Sequence, residues 1–104
     1  MQELDRTCPF TMALSIIGGK WKPFIIFNLA GSKKRFGQLD ASISGVSRKV
    51  LTDQLKELVE DKLVERTAFA ETPPRVEYSL TEKGKALVPI FLDIRKWGEY
   101  LVED

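Results

Sequence analysis

Two apolar stripes separated by one glycine leave this chain few ways to fold. Phe36, Leu39 and Ile43 fall at i, i+3 and i+7; Gly45 interrupts the pattern; Leu51, Leu55 and Leu58 then resume helical spacing. Ser47 stands directly ahead of the second stripe, where a hydroxyl can accept a hydrogen bond from a first-turn amide and cap a helix. The spacing predicts one helix over 36–43 and another from Ser47 to about 61, joined by a short glycine-containing turn. That is a helix-turn-helix unit.

The remaining segments fill in around it. Phe10 to Ile17 reads as a short apolar helix ended by Gly18-Gly19, with the first glycine expected in a left-handed cap. A second helix, about Trp21 to Ala30, carries Pro23 in its first turn and is expected to bury Phe24, Ile25, Phe27 and Leu29. After the helix-turn-helix, Leu63 to Phe69 and Val76 to Leu80 alternate as two half-exposed strands, with Thr72-Pro73-Pro74 at the tip, where prolines cost no ladder bond. Thr81 caps a final helix from about Glu82 to Val102.

That last helix carries Leu87, Ile90, Phe91, Ile94, Trp97 and Leu101, a stripe longer than a small core covers. Two outcomes stand: the stripe folds back on the chain's own core, or it meets a second copy. The second is the expectation, with Phe10, Leu14, Phe91, Ile94, Trp97 and Leu101 forming a two-fold helical interface between N- and C-terminal helices. The fold class is therefore mainly α with a two-stranded β wing, a winged helix-turn-helix. At 104 residues a second core is out of reach, so a single DNA-binding domain is expected over 1–104, with the helix-turn-helix at about 36–61, the wing at about 63–80 and the dimerisation helix at about 82–102.

Charge says where function lies. The net charge is only +1, but between Lys20 and Lys49 the cations Lys20, Lys22, Lys33, Lys34, Arg35, Arg48 and Lys49 face Asp40 alone, so that stretch carries +6 and the remainder −5. Such segregation makes a local field that attracts polyanions. With no histidine and Cys8 the one cysteine, a histidine-based triad, a zinc cluster and an intrachain disulfide are excluded. No GxGxxG or GxxxxGK[ST] stretch occurs either. No enzymatic activity, cofactor or metal is expected. No apolar run nears the roughly 18 residues needed to span a bilayer, and Glu3 and Asp5 near the N-terminus argue against a signal peptide, so the expected location is the cytoplasm.

The cations fall where a duplex would meet this fold. In a helix-turn-helix the second helix enters the major groove with its N-terminal residues against the base edges. Arg48 and Lys49 occupy that end, Thr52 lies one turn on, Lys56 reaches toward the backbone, and Ser47 both caps and contacts. Arg48 and Lys49 oppose the positive end of their own helix dipole, a placement that makes sense where an anion docks. Lys33, Lys34 and Arg35 precede the supporting helix and suit phosphate contact, while Arg75, beside the wing-tip prolines, suits a narrow minor groove. The expected function is a transcriptional regulator binding double-stranded DNA through 47–61 and the wing 70–76. A winged-helix module that binds protein is the alternative, and it has no need of these cations.

These residues resemble the HxlR-type transcriptional regulators, bacterial winged helix-turn-helix proteins related in fold to the MarR regulators. The match spans about 8–98 and rests on Cys8-Pro9, Ile17-Gly18-Gly19-Lys20-Trp21, Arg35-Phe36, Ile43 with Gly45-Val46-Ser47, Leu51-Thr52, and Pro73-Pro74 followed by Val76-Glu77-Tyr78, Leu80-Thr81 and Gly84. The resemblance implies a cytoplasmic homodimer that binds palindromic operator DNA. It departs at Asp61-Lys62-Leu63, where the family has glycine in place of Lys62; keeping the left-handed cap there costs roughly 1 kcal/mol. The resemblance also implies a thiol switch at Cys8, answering to a small electrophile or oxidant by alkylation or by an intersubunit disulfide. With no other thiol in the chain, a disulfide would join two chains or take up a small thiol. Arg6 is expected to lower the Cys8 pKa. The competing reading makes Cys8 a small buried hydrophobe.

Overall fold

The computed structural model describes residues 8–102, so Glu3, Asp5 and Arg6 lie outside the described residues. Its elements run α1 (Pro9–Ile17), α2 (Lys22–Leu29), β1 (Lys34–Arg35), α3 (Phe36–Ser42), α4 (Arg48–Glu60), β2 (Val64–Phe69), β3 (Arg75–Leu80) and α5 (Glu82–Val102). The sheet is antiparallel, in the order β1-β3-β2, with Val64 opposite Leu80 and Phe69 opposite Arg75. This is a winged helix-turn-helix, and the sheet has one strand more than the two expected. β1 pairs Lys34 with Tyr78 and Arg35 with Glu77. Two polar residues carry no periodicity, so a strand this short leaves no trace in the sequence.

The core forms where the stripes converge. Leu51, Leu55 and Leu58 of α4 are at most 1% exposed and pack with Ile25, Ile26 and Leu29 of α2, Leu39 of α3, and Leu63, Val64, Leu80 and Phe91. Each such side chain contributes about 1.5–3 kcal/mol of apolar transfer. Phe24 departs from expectation: α2 turns Ile25, Ile26 and Leu29 inward, which leaves Phe24 53% exposed and Phe27 half-buried.

Two ends of helices decide how the core is closed. α4 ends with Lys62 at φ 64°, its N–H donating to the Val59 carbonyl at 3.0 Å and that of Leu63 to the Leu58 carbonyl at 3.0 Å. This pair of bonds is a Schellman cap, with Leu58 and Leu63 supplying its buried apolar contact. Lysine thus keeps the backbone that glycine would hold. Thr81 then joins this cap to α5: its hydroxyl donates to the Lys62 carbonyl at 2.7 Å and accepts from the Gly84 N–H at 3.1 Å. Gly84 is buried against the Leu63 carbonyl so closely that a Cβ would collide with it. Gly18 departs from expectation: it is right-handed, φ −77°, and the glycine requirement there comes from the Leu14 carbonyl, 2.7 Å from where a Cβ would stand.

Candidate nucleic-acid interface

Burial of the leucine stripe aims the other face of α4 outward. Ser47 caps the helix, its Oγ accepting from the Val50 N–H at 3.1 Å, and Gly45 makes the turn before it at φ 88°. Arg48, Lys49, Thr52 and Lys56 are all exposed. The front of the helix borders a shallow concavity of about 560 Å³ lined by Phe36, Arg48, Lys49, Thr52 and Asp53. Arg48 reaches across to α3, where Nη1 donates to Asp40 Oδ2 at 2.9 Å and the guanidinium lies 4.9 Å from the Phe36 ring centre. Lys49 Nζ donates to Asp53 Oδ2 at 3.0 Å.

These pairs hold both cations in place without locking them. Exposed ion pairs are worth about 0–1 kcal/mol, so a phosphate or base edge can displace the carboxylate at little cost. Thr52 is more constrained. Its hydroxyl donates to the Arg48 carbonyl at 2.8 Å, which turns the methyl group outward. The methyl group is what it offers, which suits an apolar contact with thymine.

The basic triplet is organised by the strand the sequence did not reveal. β1 hydrogen-bonds Lys34 and Arg35 to β3, so the triplet is built onto the wing's own sheet. Lys33 is exposed, 3.8 Å from Glu77 Oε1; Lys34 Nζ donates to Ser32 Oγ at 3.2 Å; Arg35 is exposed at the N-cap of α3, where its N–H donates to Gln38 Oε1 at 2.8 Å.

Arg75 is held more closely than the other cations. Its Nη2 is 3.2 Å from Glu71 Oε2, its Nε is 3.2 Å from Glu77 Oε2 at an angle that makes no hydrogen bond, and its guanidinium stacks 4.2 Å over Phe69. Two carboxylates and a ring fold this side chain back onto the sheet. Arg75 braces the wing, and the exposed tip is Thr72-Pro73-Pro74. An adjacent-strand aromatic and two flanking glutamates were the signal for this in the sequence.

On the far side lies an apolar face. Phe10, Leu14, Ile94, Trp97 and Leu101 are exposed, as are Phe24, Ile90, Leu92 and Tyr100. Phe91 departs from the expected interface set, being buried at 3% with its ring centre 5.9 Å from that of Phe27. It forms the floor of a groove of about 620 Å³ between α2 and α5, lined also by Ile17, Pro23, Phe24 and Ile94, with Arg95 at the edge.

Cys8 caps α1 and is half-buried. Its neutral thiol makes no cap hydrogen bond, but the Thr11 hydroxyl first, and then the amides of Thr11 and Phe10, favour the thiolate and hold the pKa below the usual 9.0. Among the described residues, no helix is long and apolar enough to cross a membrane.

A capped, cation-fronted helix seated on a leucine core beside a small β wing defines a winged helix-turn-helix transcriptional regulator. The chain belongs to the HxlR-like helix-turn-helix family, whose pattern it matches over residues 16–104. It is 42% identical over 92 residues to the HTH-type transcriptional regulator YybR of Bacillus subtilis, a match covering 88% of this chain and 74% of YybR. Its backbone is similar to the oxidised form of the redox regulator HypR, with a TM-score of 0.83, 41% identity, and coverage of 93% of this chain and 99% of HypR. A structure from Porphyromonas gingivalis described as a MarR-family regulator superposes with a TM-score of 0.83 at 39% identity, covering 95% and 97% of the two chains. Relatives named as transcriptional regulators point away from an enzyme.

Proposed function

We propose that this protein is a homodimer that binds a palindromic operator, reading bases with the front of α4 and touching the flanking backbone with its basic triplet and wing 70–76. One observation carries the reading: α4 buries its leucines to within 1% and turns Ser47, Arg48, Lys49, Thr52 and Lys56 outward together. Arg48 and Lys49 make base-edge or phosphate contacts, Thr52 offers its methyl group, and Lys33, Lys34 and Arg35 bind phosphates. Dimerisation through α1 and α5 covers Phe10, Leu14, Ile94, Trp97 and Leu101 and sets the two half-sites about one helical turn apart.

The test is selection of bound duplexes from genomic DNA at about 0.15 M salt, where the purely electrostatic term is weakened. A two-fold-symmetric site is expected, and Arg48→Ala with Lys49→Ala is expected to abolish its binding while leaving the dimer intact. Undiminished affinity in the double variant would remove α4 from the DNA surface. Recovery of no preferred sequence would favour the protein-binding module.

Cys8 is the proposed thiol switch, answering to a small electrophile or oxidant, supported by its lowered pKa and by the similarity to a protein described as a redox regulator. Because the thiolate is the nucleophile, the alkylation rate of Cys8 is expected to rise with pH through a midpoint below 9.0. Diamide should change operator affinity in the native protein and leave Cys8→Ser unaffected. Identical responses would make Cys8 a packing residue.

A further inference from the structure

The run Gly18-Gly19-Lys20-Trp21-Lys22 takes no part in the outward face of α4, yet Lys22 is a buried charged residue, 7% exposed, in a concavity shared with Ser15, Glu57, Glu60 and Asp61. Its location is doubly unfavourable. Lys22 is the first residue of α2, where the positive end of the helix dipole opposes a cation, and an ammonium withdrawn from water needs a close partner. That partner is Glu57 of α4, whose Oε1 lies 2.7 Å from Lys22 Nζ. Glu57, in turn, stands in the last turn of α4, followed by Glu60 and Asp61, at a helix end that has no basic residue of its own.

Each charge is misplaced on its own helix and is compensated by the other. Stability alone does not call for this arrangement, because an apolar side chain of similar volume generally serves a buried position as well as an ion pair. A short, directional contact does something apolar packing cannot, which is to fix one helix against another at a defined point.

The neighbouring residue bears on the other end of the same helix. Trp21 Cη2 lies 3.8 Å from where a Cβ would stand on Gly45, the glycine of the turn before α4, and Lys20 Nζ covers the Trp21 ring at 4.8 Å. We propose that Trp21 and Lys22 together straddle the recognition helix and set its angle, which makes Lys22 a positioning residue for operator binding. This rests on the reading of α4 as the helix that meets DNA. Glu57 and Arg48 are separated by roughly 13 Å along the helix axis, so a tilt of about 10° about the Glu57 end moves the reading end by about 2 Å. A shift of that size breaks hydrogen bonds to base edges.

The test uses Lys22→Met, which keeps an unbranched side chain without the charge, and Glu57→Gln on the half-exposed partner. In DNA-free protein, residual dipolar couplings of α4 amides, referred to α2 and the sheet, are expected to report a rotated α4 in both variants. An unrotated α4 in both overturns the proposal. On the selected operator both variants are expected to bind about five- to tenfold more weakly, with the native dependence on salt. Undiminished affinity overturns the positioning role, and so does a salt slope reduced by about one in Lys22→Met, which would mark a direct phosphate contact. The exchange Lys22→Glu with Glu57→Lys places each charge favourably on its helix dipole and is expected to recover the lost affinity; affinity left at the level of the single variants also overturns the role. Should Lys22→Met fail to fold, Glu57→Gln carries the same readouts. A native protein that selects no duplex rejects the DNA-reading role of α4, while the orientation of α4 in the DNA-free variants still decides the positioning claim.

Discussion

α4 and α5 carry the same kind of stripe and meet opposite fates. Leu51, Leu55 and Leu58 on α4 are covered to within 1%, whereas Ile94, Trp97 and Leu101 on α5 stand 43%, 61% and 67% exposed. Periodicity is equally clear in both. The difference lies in reach: α5 has 21 residues, about 32 Å of helix, and its contact with the core ends near Phe91. Apolar spacing therefore marks a face suited to burial, and it does not say whether the chain's own core covers that face.

Substitutions on the two stripes should separate these fates. Leu55→Ala is expected to cost about 3 kcal/mol, from lost transfer energy and the cavity left behind, seen as a lowered urea midpoint with an unchanged slope. A loss well under 1 kcal/mol would mean that the α4 stripe is not the closed core described. Trp97→Ala with Leu101→Ala is expected to leave the fold of each chain intact and to weaken self-association by about 2 kcal/mol, roughly thirtyfold, in a sedimentation dilution series. In the native protein the melting temperature should rise with protein concentration, and in this double variant much less so. An unchanged dimer would show that the α5 stripe is not where two copies meet.

The smallest effect sharpens the account of the covered stripe. Lys62 closes that stripe in a left-handed conformation, so Lys62→Gly should stabilise the protein by about 1 kcal/mol, or roughly 4–8 °C in melting temperature. No gain would mean that the glycine's greater freedom in the unfolded chain offsets the relieved strain.

Much of this was legible before any coordinates, and the particular residues show why. Ser47 capping α4, Gly45 in the turn, Thr81 ahead of α5 and the prolines at the wing tip are local choices, decided by a few neighbouring dihedrals and one or two hydrogen bonds. β1 was not legible, because its two polar residues become a strand only when β3 lies alongside. The contacts of Arg75 were not legible either: Glu71, Glu77 and Phe69 capture it only once the hairpin has formed. Phe24 and Phe91 exchanged their expected roles for a related reason, since the angle between α2 and α5 decides which aromatic fills the core and which borders the groove.

The sequence by itself determined the order of elements, the face of α4 that carries the cations and the family to which the chain belongs, because propensity, capping and side-chain period act over a few residues. Only the tertiary structure decided that the basic triplet is joined to the wing and that Lys22 is buried against Glu57. Those contacts join residues far apart in the chain, and their geometry exists only after the core has brought the helices together.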